Sequence, residues 1–259
     1  MTPCTRITRY PLHYTHTHTL THPVMRTPGD SGLALGGLWI VQPPALHSHH
    51  AASSGFSGLP LVDFGRLEHF VATRRGTRTS PQAVALFLAP GSHVIGIVRG
   101  RAELGPRALG HRSLIGYPVN PQMKATYNLI KGRQAFRPVA PIIPESACEQ
   151  FFGRTFHSPF MSFAPPLLKH VAEKFSAIAH VDGTSRLQTL QEQQDPWLWA
   201  LLQELGRLTG WPIVANSSFN RKGQAMINTL DASFLLLDGT PELSGLVVEE
   251  WWFEQRHRI

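Results

Sequence analysis

Cysteine is nearly missing from this sequence. Only Cys4 and Cys148 occur, far apart along the chain, which argues against a disulfide framework and makes a reducing, cytoplasmic setting the expectation. Long apolar runs are missing too: no stretch approaches the roughly 18 residues that would suggest a membrane helix. Acids are scarce, with 17 Asp and Glu against 24 Lys and Arg, for a formal net charge of +7. Such a surplus attracts nucleotides, phosphates and nucleic acid alike, and does not choose among them. Finally, neither G-x-x-x-x-G-K-[ST] nor G-x-G-x-x-G is present. If a nucleotide binds, arginine and lysine side chains must do what those glycine-rich loops do elsewhere.

The hydrophobic share of 42% is ample for a core. Its texture is uneven along the chain. Residues 1–27 form a low-complexity tail of alternating Thr and His, read as disordered. Within it His18 and His22 have the spacing of two ligands on one helical face. The acid-free opening, with Arg6, Arg9 and Arg26, resembles an organelle transit segment in charge, but Pro3, Pro11 and Pro23 would spoil its helix. Residues 43–79, rich in Pro, Ser and His at their start, read as a linker.

From Ser80 the pattern alternates between helices and strands. Ser80-Pro81 is a cap and first-turn proline for a helix that should stop at Gly91. A strand is expected over His93–Val98, and helices over Pro121–Lys131 and Glu145–Phe152. Two strands, Ser176–Val181 and Arg186–Leu190, should flank the turn Asp182-Gly183-Thr184. An amphipathic helix over Pro196–Leu208 ends at Gly210. It leads into a strand at Trp211–Ala215 and a polar loop, Asn216–Asn220. Thr229 caps a last helix, and Leu246–Val248 forms a last strand. The fold class is α/β: a twisted mixed sheet with flanking helices over residues 80–255.

Three clusters spend glycine or polar residues where packing would prefer apolar ones. The first runs from Gly100 to Ser113 after a strand. Its glycines let backbone approach a ligand, and Arg101, Arg107 and Arg112 offer planar forks for phosphate oxygens. A turn whose arginines pair with Glu103 or solvent explains it equally well. The second, Lys131–Pro138, pairs a compact ammonium with the guanidiniums of Arg133 and Arg137, suited to a triphosphate. A helix C-terminus that attracts cations is the competing explanation. The third, Asn216–Asn220, puts hydroxyls and amides at a strand's carboxyl end, where α/β sheets bind small ligands. A turn satisfying its own backbone is the alternative there. Between them, His180–Thr189 adds Arg186 beside a turn.

In this order the clusters resemble the carbamoyltransferase family of nodulation proteins and antibiotic-tailoring enzymes, from about Pro81 to Val248. The matching signatures are GR-x-E-x-GPRALG-x-RS, K-x-R-x-x-FRP-x-AP, HVDGT-x-R-x-Q-T and N-x-SFN-x-x-G. That family's C-terminal domain is similar in fold to threonylcarbamoyl-AMP synthases, which share K-x-R and S-x-N. Here these are Lys131-Gly132-Arg133 and Ser218-Phe219-Asn220. The resemblance implies a domain that turns carbamoyl phosphate and ATP into carbamoyl-adenylate and pyrophosphate. Carried over by motif, Arg107, Arg137 and Arg186 grip phosphate or carbamoyl oxygens. Lys131 and Arg133 meet the triphosphate, while Ser218 and Asn220 hold the carbamoyl-adenylate. Lys131, Arg137 and Arg186 are the catalytic candidates. Such transfers need charge neutralisation and positioning more than a nucleophile. Magnesium is expected with the ATP, held largely by its phosphates, and no protein metal ligands are predicted.

Residues 28–42, with Asp30 in Pro28–Gly36, resemble the closing segment of the family's N-terminal metal domain, where an aspartate binds metal. The family's histidine pair lies far upstream, so His18 and His22 are read as coincidence. Asp30 alone cannot assemble a metal site. The resemblance therefore implies a module that activates carbamate, with a separate metal-binding carbamoyltransferase domain as partner for transfer to a hydroxyl. A non-catalytic basic nucleotide- or RNA-binding domain and an inactive remnant are the competing readings. Nucleic acid is the less favoured partner, because a binding module needs charge but not this polar set.

Overall fold

The computed structural model describes residues 55–255 and the single residue Val41. The readings placed on Cys4, His18, His22 and Asp30 lie outside the described residues.

Capping and periodicity set the helices. Helix α1 spans Leu67–Arg74. In α2 (Pro81–Leu88) the Ser80 hydroxyl accepts the Ala83 N–H at 3.2 Å, and Val84, Ala85 and Leu88 turn inward. Helix α3 is Met123–Ile130, α4 is Cys148–Phe152 and α5 is Lys169–Lys174. Helix α6 (Pro196–Thr209) buries Leu198, Leu201, Leu202 and Leu205, one face at helical spacing. Asp195 Oδ1 caps it by accepting the Trp197 and Leu198 N–H groups, each at 3.1 Å. Gly210 ends it with φ of 79°, a left-handed conformation that glycine adopts freely. Thr229 caps α7 (Leu230–Asp238) through the Ala232 N–H.

Eight strands make one mixed sheet in the order β1-β8-β7-β2-β3-β6-β4-β5. In chain order they are Thr77–Arg78, Ile95–Val98, Arg112–Gly116, Ala140–Pro144, Gln188–Leu190, Val214–Ser218, Gly245–Val248 and Trp251–Glu254. Strands β2, β3, β4, β5 and β7 are buried along their whole length. Helix α2 packs along α6, and Phe70 of α1 stacks on Phe234 of α7 with ring centroids 4.6 Å apart.

Several expectations need correction. The presumed linker is folded from residue 55 on. Gly58 and Leu104 donate to Ala102 and Gly55 across two adjacent segments, Leu67 and Phe70 are buried, and Thr77–Arg78 pairs with β8. The strand expected at 176–181 is a compact turn. Phe175, Ala177 and Ile178 are buried, while Val181 points fully outward. Local bonds win there: His180 N–H donates to Thr184 O, and Asp182 Oδ1 accepts both the backbone N–H and the hydroxyl of Thr184. Residues 216–218, read as loop, continue β6, and Asn216 turns its amide into the fold, its Nδ2 donating to Ala108 O at 2.8 Å. Strands β3, β4 and β8 were not anticipated.

Register fixes what gathers at one margin of the sheet. Val98 pairs with Arg112 and Val248, Ser113 with Ser218, and Ala140 with Asn216. The ends of β2, β6 and β7 therefore meet the starts of β3 and β4. Strand β5 runs parallel to β4, so the segment leading into it arrives from the same side. The chain enters beside this margin, where residues 55–59 run along 102–104. It leaves at the opposite one, where Gln255 N–H donates to Ser244 O and Ser244 N–H to Val94 O.

Candidate anion-binding site

Lys131 closes α3 and is only 4% exposed. Its ammonium donates to Ser218 O, Ser218 Oγ, Asn220 O and Asn220 Oδ1, at distances from 2.5 to 3.0 Å. Three protons serve four oxygens, so one bond is shared. The Ser218 hydroxyl is spoken for: it donates to Asn220 Oδ1 at 2.7 Å while accepting from the lysine. Backbone completes the joint, with Lys222 N–H donating to Lys131 O at 2.8 Å. The K-x-R and S-x-N motifs, distant in sequence, thus form one structure.

Burial, followed by the charges of Arg133 and Arg137, pushes Lys131 down to about 7. Burial and Arg137 likewise push Arg133 down to about 10. Arg107, exposed as a residue, is held below the ordinary arginine range by partial desolvation and then by the charge of Arg186. Two groups of like charges therefore sit on the margin: Lys131 with Arg133 and Arg137, and Arg107 with Arg186. None of the four arginines forms an ion pair with an acid among the described residues. Cations gathered and partly desolvated without carboxylates are the arrangement that a polyvalent anion relieves.

Buried polar groups hold these cations in place. Asn128, 1% exposed, accepts Arg133 Nε at 2.6 Å and donates to Ala135 O and Arg137 O at 2.8 and 3.0 Å. Glu103, 5% exposed, gathers the Leu109, His111 and Arg112 N–H groups onto Oε1 at 2.7, 2.8 and 3.2 Å. On the other side of that loop, Asn216 and Gln188 donate to Ala108 O and Leu109 O. Gly110 is required here, since a Cβ would lie 2.6 Å from Leu198 at a φ of +127°. Arg107 is therefore carried on a loop gripped from both sides.

Of the predicted residues, Lys131, Ser218 and Asn220 are in direct contact, and Arg133 and Arg137 act on Lys131 through charge. Arg107 and Arg186 form the second group, on the same margin, where the charge of Arg186 acts on Arg107. The reading of Arg112 as a phosphate fork is corrected. It is fully buried and donates to Asn228 Oδ1, Arg99 O, His111 O and Gly100 O, so its forks are spent on the fold. Glu103 pairs with backbone N–H groups rather than forming a surface ion pair. Asn128 was missed. Its one signal was an amide amid the inward positions Met123, Tyr127 and Ile130 of an amphipathic helix.

Comparison with known proteins gives this geometry its family. The nodulation protein NolNO of Sinorhizobium fredii is 36% identical over 177 residues, which are 66% of this chain and 26% of the relative. Nodulation protein U of Rhizobium tropici is 36% identical over 201 residues, 76% of this chain and 33% of the relative. The 3'-hydroxymethylcephem-O-carbamoyltransferase of Amycolatopsis lactamdurans is 30% identical over 228 residues, 87% of this chain and 42% of the relative. The chain thus spans between about a quarter and two fifths of the length of these relatives. A doubly substituted Sua5 of P. abyssi is similar over 68% of this chain and 49% of its own, at 16% identity and a TM-score of 0.41. The fold assignment rests instead on the sheet and helices described above. The model of the Carbamoyltransferase C-terminus family matches residues 87–255, a span that holds both cation groups and the Lys131–Asn220 joint, and the chain belongs to that family.

Proposed function

We propose that this domain binds ATP and carbamoyl phosphate and forms carbamoyl-adenylate, which a metal-binding carbamoyltransferase domain then uses to modify a hydroxyl acceptor. The observation that carries this reading is the gathering of Lys131, joined to Ser218 and Asn220, with the charges of Arg133 and Arg137, none of them paired with an acid among the described residues. Lys131 and Arg133 would hold the triphosphate. Arg107, Arg137 and Arg186 would hold the phosphate or carbamoyl oxygens of the second substrate, with Ser218 and Asn220 against the adenylate.

The reaction needs one water to balance. Water releases phosphate from carbamoyl phosphate and leaves carbamate. A carbamate oxygen then attacks the α-phosphorus of ATP, and the bond from that phosphorus to the β-bridging oxygen breaks, so pyrophosphate departs. Negative charge builds on the leaving pyrophosphate, where fixed cations stabilise it without reorganising. Among the described residues no group of three His, Cys, Asp or Glu converges on a point. The cationic lining suits the phosphate oxygens of a magnesium–nucleotide complex, so magnesium would arrive on ATP.

The test is exchange of labelled pyrophosphate into ATP by the full chain, with magnesium and carbamoyl phosphate. Exchange that requires carbamoyl phosphate is the expected result. A folded sample that binds ATP but shows no exchange overturns the adenylating step.

A further inference from the structure

Phe136 stands 78% exposed at the middle of the turn between Arg133 and Arg137. It has no ring or cation partner among the described residues. The turn that displays it is braced: the Asn128 amide donates to the carbonyls on either side of it, Ala135 O and Arg137 O, and Arg137 N–H donates to Gln134 O at 3.2 Å. A lone exposed apolar side chain is ordinary on a protein surface. What distinguishes Phe136 is its company. Arg133 and Arg137 flank it, and the charges of both reach Lys131. Leu104 and Val181, also exposed, are aliphatic and offer no flat face.

A nucleoside triphosphate pairs a polyanionic tail with a flat aromatic base, and the 131–138 segment presents the complement of both. Resting on the nucleotide-binding reading above, we infer that Phe136 is the stacking platform for the nucleobase of the nucleotide whose phosphates Lys131 and Arg133 hold. Every base has a π-face, so one ring supplies affinity without choosing adenine. Selection among bases would then fall to other groups.

Binding of ATP and of inorganic tripolyphosphate, which lacks a base, separates this inference from the reading beneath it. With Phe136→Ala, ATP should bind roughly tenfold more weakly, with tripolyphosphate affinity and thermal unfolding unchanged. Phe136→Trp should keep ATP affinity and add an indole emission that ATP quenches and tripolyphosphate does not. If Phe136→Ala leaves ATP affinity intact, or weakens both ligands equally, the platform is wrong although the cation site stands. If the parent chain binds neither ligand, the nucleotide reading itself falls.

Discussion

The ammonium of Lys131 reaches both oxygens of Asn220, the backbone carbonyl at 3.0 Å and Oδ1 at 2.6 Å, across 89 residues of sequence. A lysine presented for ligand binding alone would not need an internal partner. This one is a strut that joins the end of α3 to the end of β6, and its charge is placed by that joint.

Lys131 and Arg137 should therefore respond differently to truncation. Lys131→Ala removes the donor that ties half-buried oxygens of Ser218 and Asn220 to the end of α3, so it should cost about 1–3 kcal/mol of stability as well as anion affinity. Arg137 is exposed, and Arg137→Ala should weaken ATP or carbamoyl phosphate binding by about 1.5–3 kcal/mol with little change in unfolding. Thermal melts and calorimetric titrations on the two variants check this. Equal melting losses in both would refute the distinction.

Anion binding should also take up a proton. With Lys131 at about 7 in the free protein, most of it is neutral at pH 8, and a bound polyanion favours the ammonium. Titration of tripolyphosphate at pH 8 in buffers of different ionisation enthalpy should show uptake, lost in Lys131→Met. Affinity should fall as pH rises above about 7. The stability effect has the opposite sense. The unfolded chain, with lysine near its ordinary 10.5, binds the extra proton between about 7 and 10.5. This group's contribution to stability therefore improves as pH rises through that window, and its full penalty is present below it.

Glu103 should prove to act on the ligand through Arg107. Glu103→Ala removes the acceptor for three backbone N–H groups and frees the loop that carries the guanidinium. Arg107→Ala should weaken carbamoyl phosphate binding in the parent chain but have little further effect in Glu103→Ala. A double-mutant cycle measures this coupling. Strictly additive losses would mean that the loop does not orient Arg107.

The sequence made the site more legible than the sheet. Lys131, Arg133, Ser218 and Asn220 stand out in the sequence by the K-x-R and S-x-N motifs, and the fold brings Lys131, Ser218 and Asn220 into contact. Strand β4 was hidden by Pro141 and Pro144, residues that argue against a central strand. Strand β3 was hidden because Arg112 opens it, and nothing local announces that backbone carbonyls will satisfy a buried guanidinium. The alternation around Ile178 suggested a strand until the Asp182–Thr184 turn claimed the backbone. Asn128 escaped notice, and Glu103 was read as a partner of arginines, for a related reason: the main-chain groups that both bind carry no sequence signature.

The two borders of the sheet give attachment a direction. Residue 55 lies against the arginine-bearing loop through the Leu104–Gly55 bond, whereas Gln255 is anchored at the far border through Ser244. Residue 55 thus sits on the cationic border and Gln255 on the border away from it. A bulky label attached at Gln255 should therefore disturb the approach of a small anion less than one attached at residue 55.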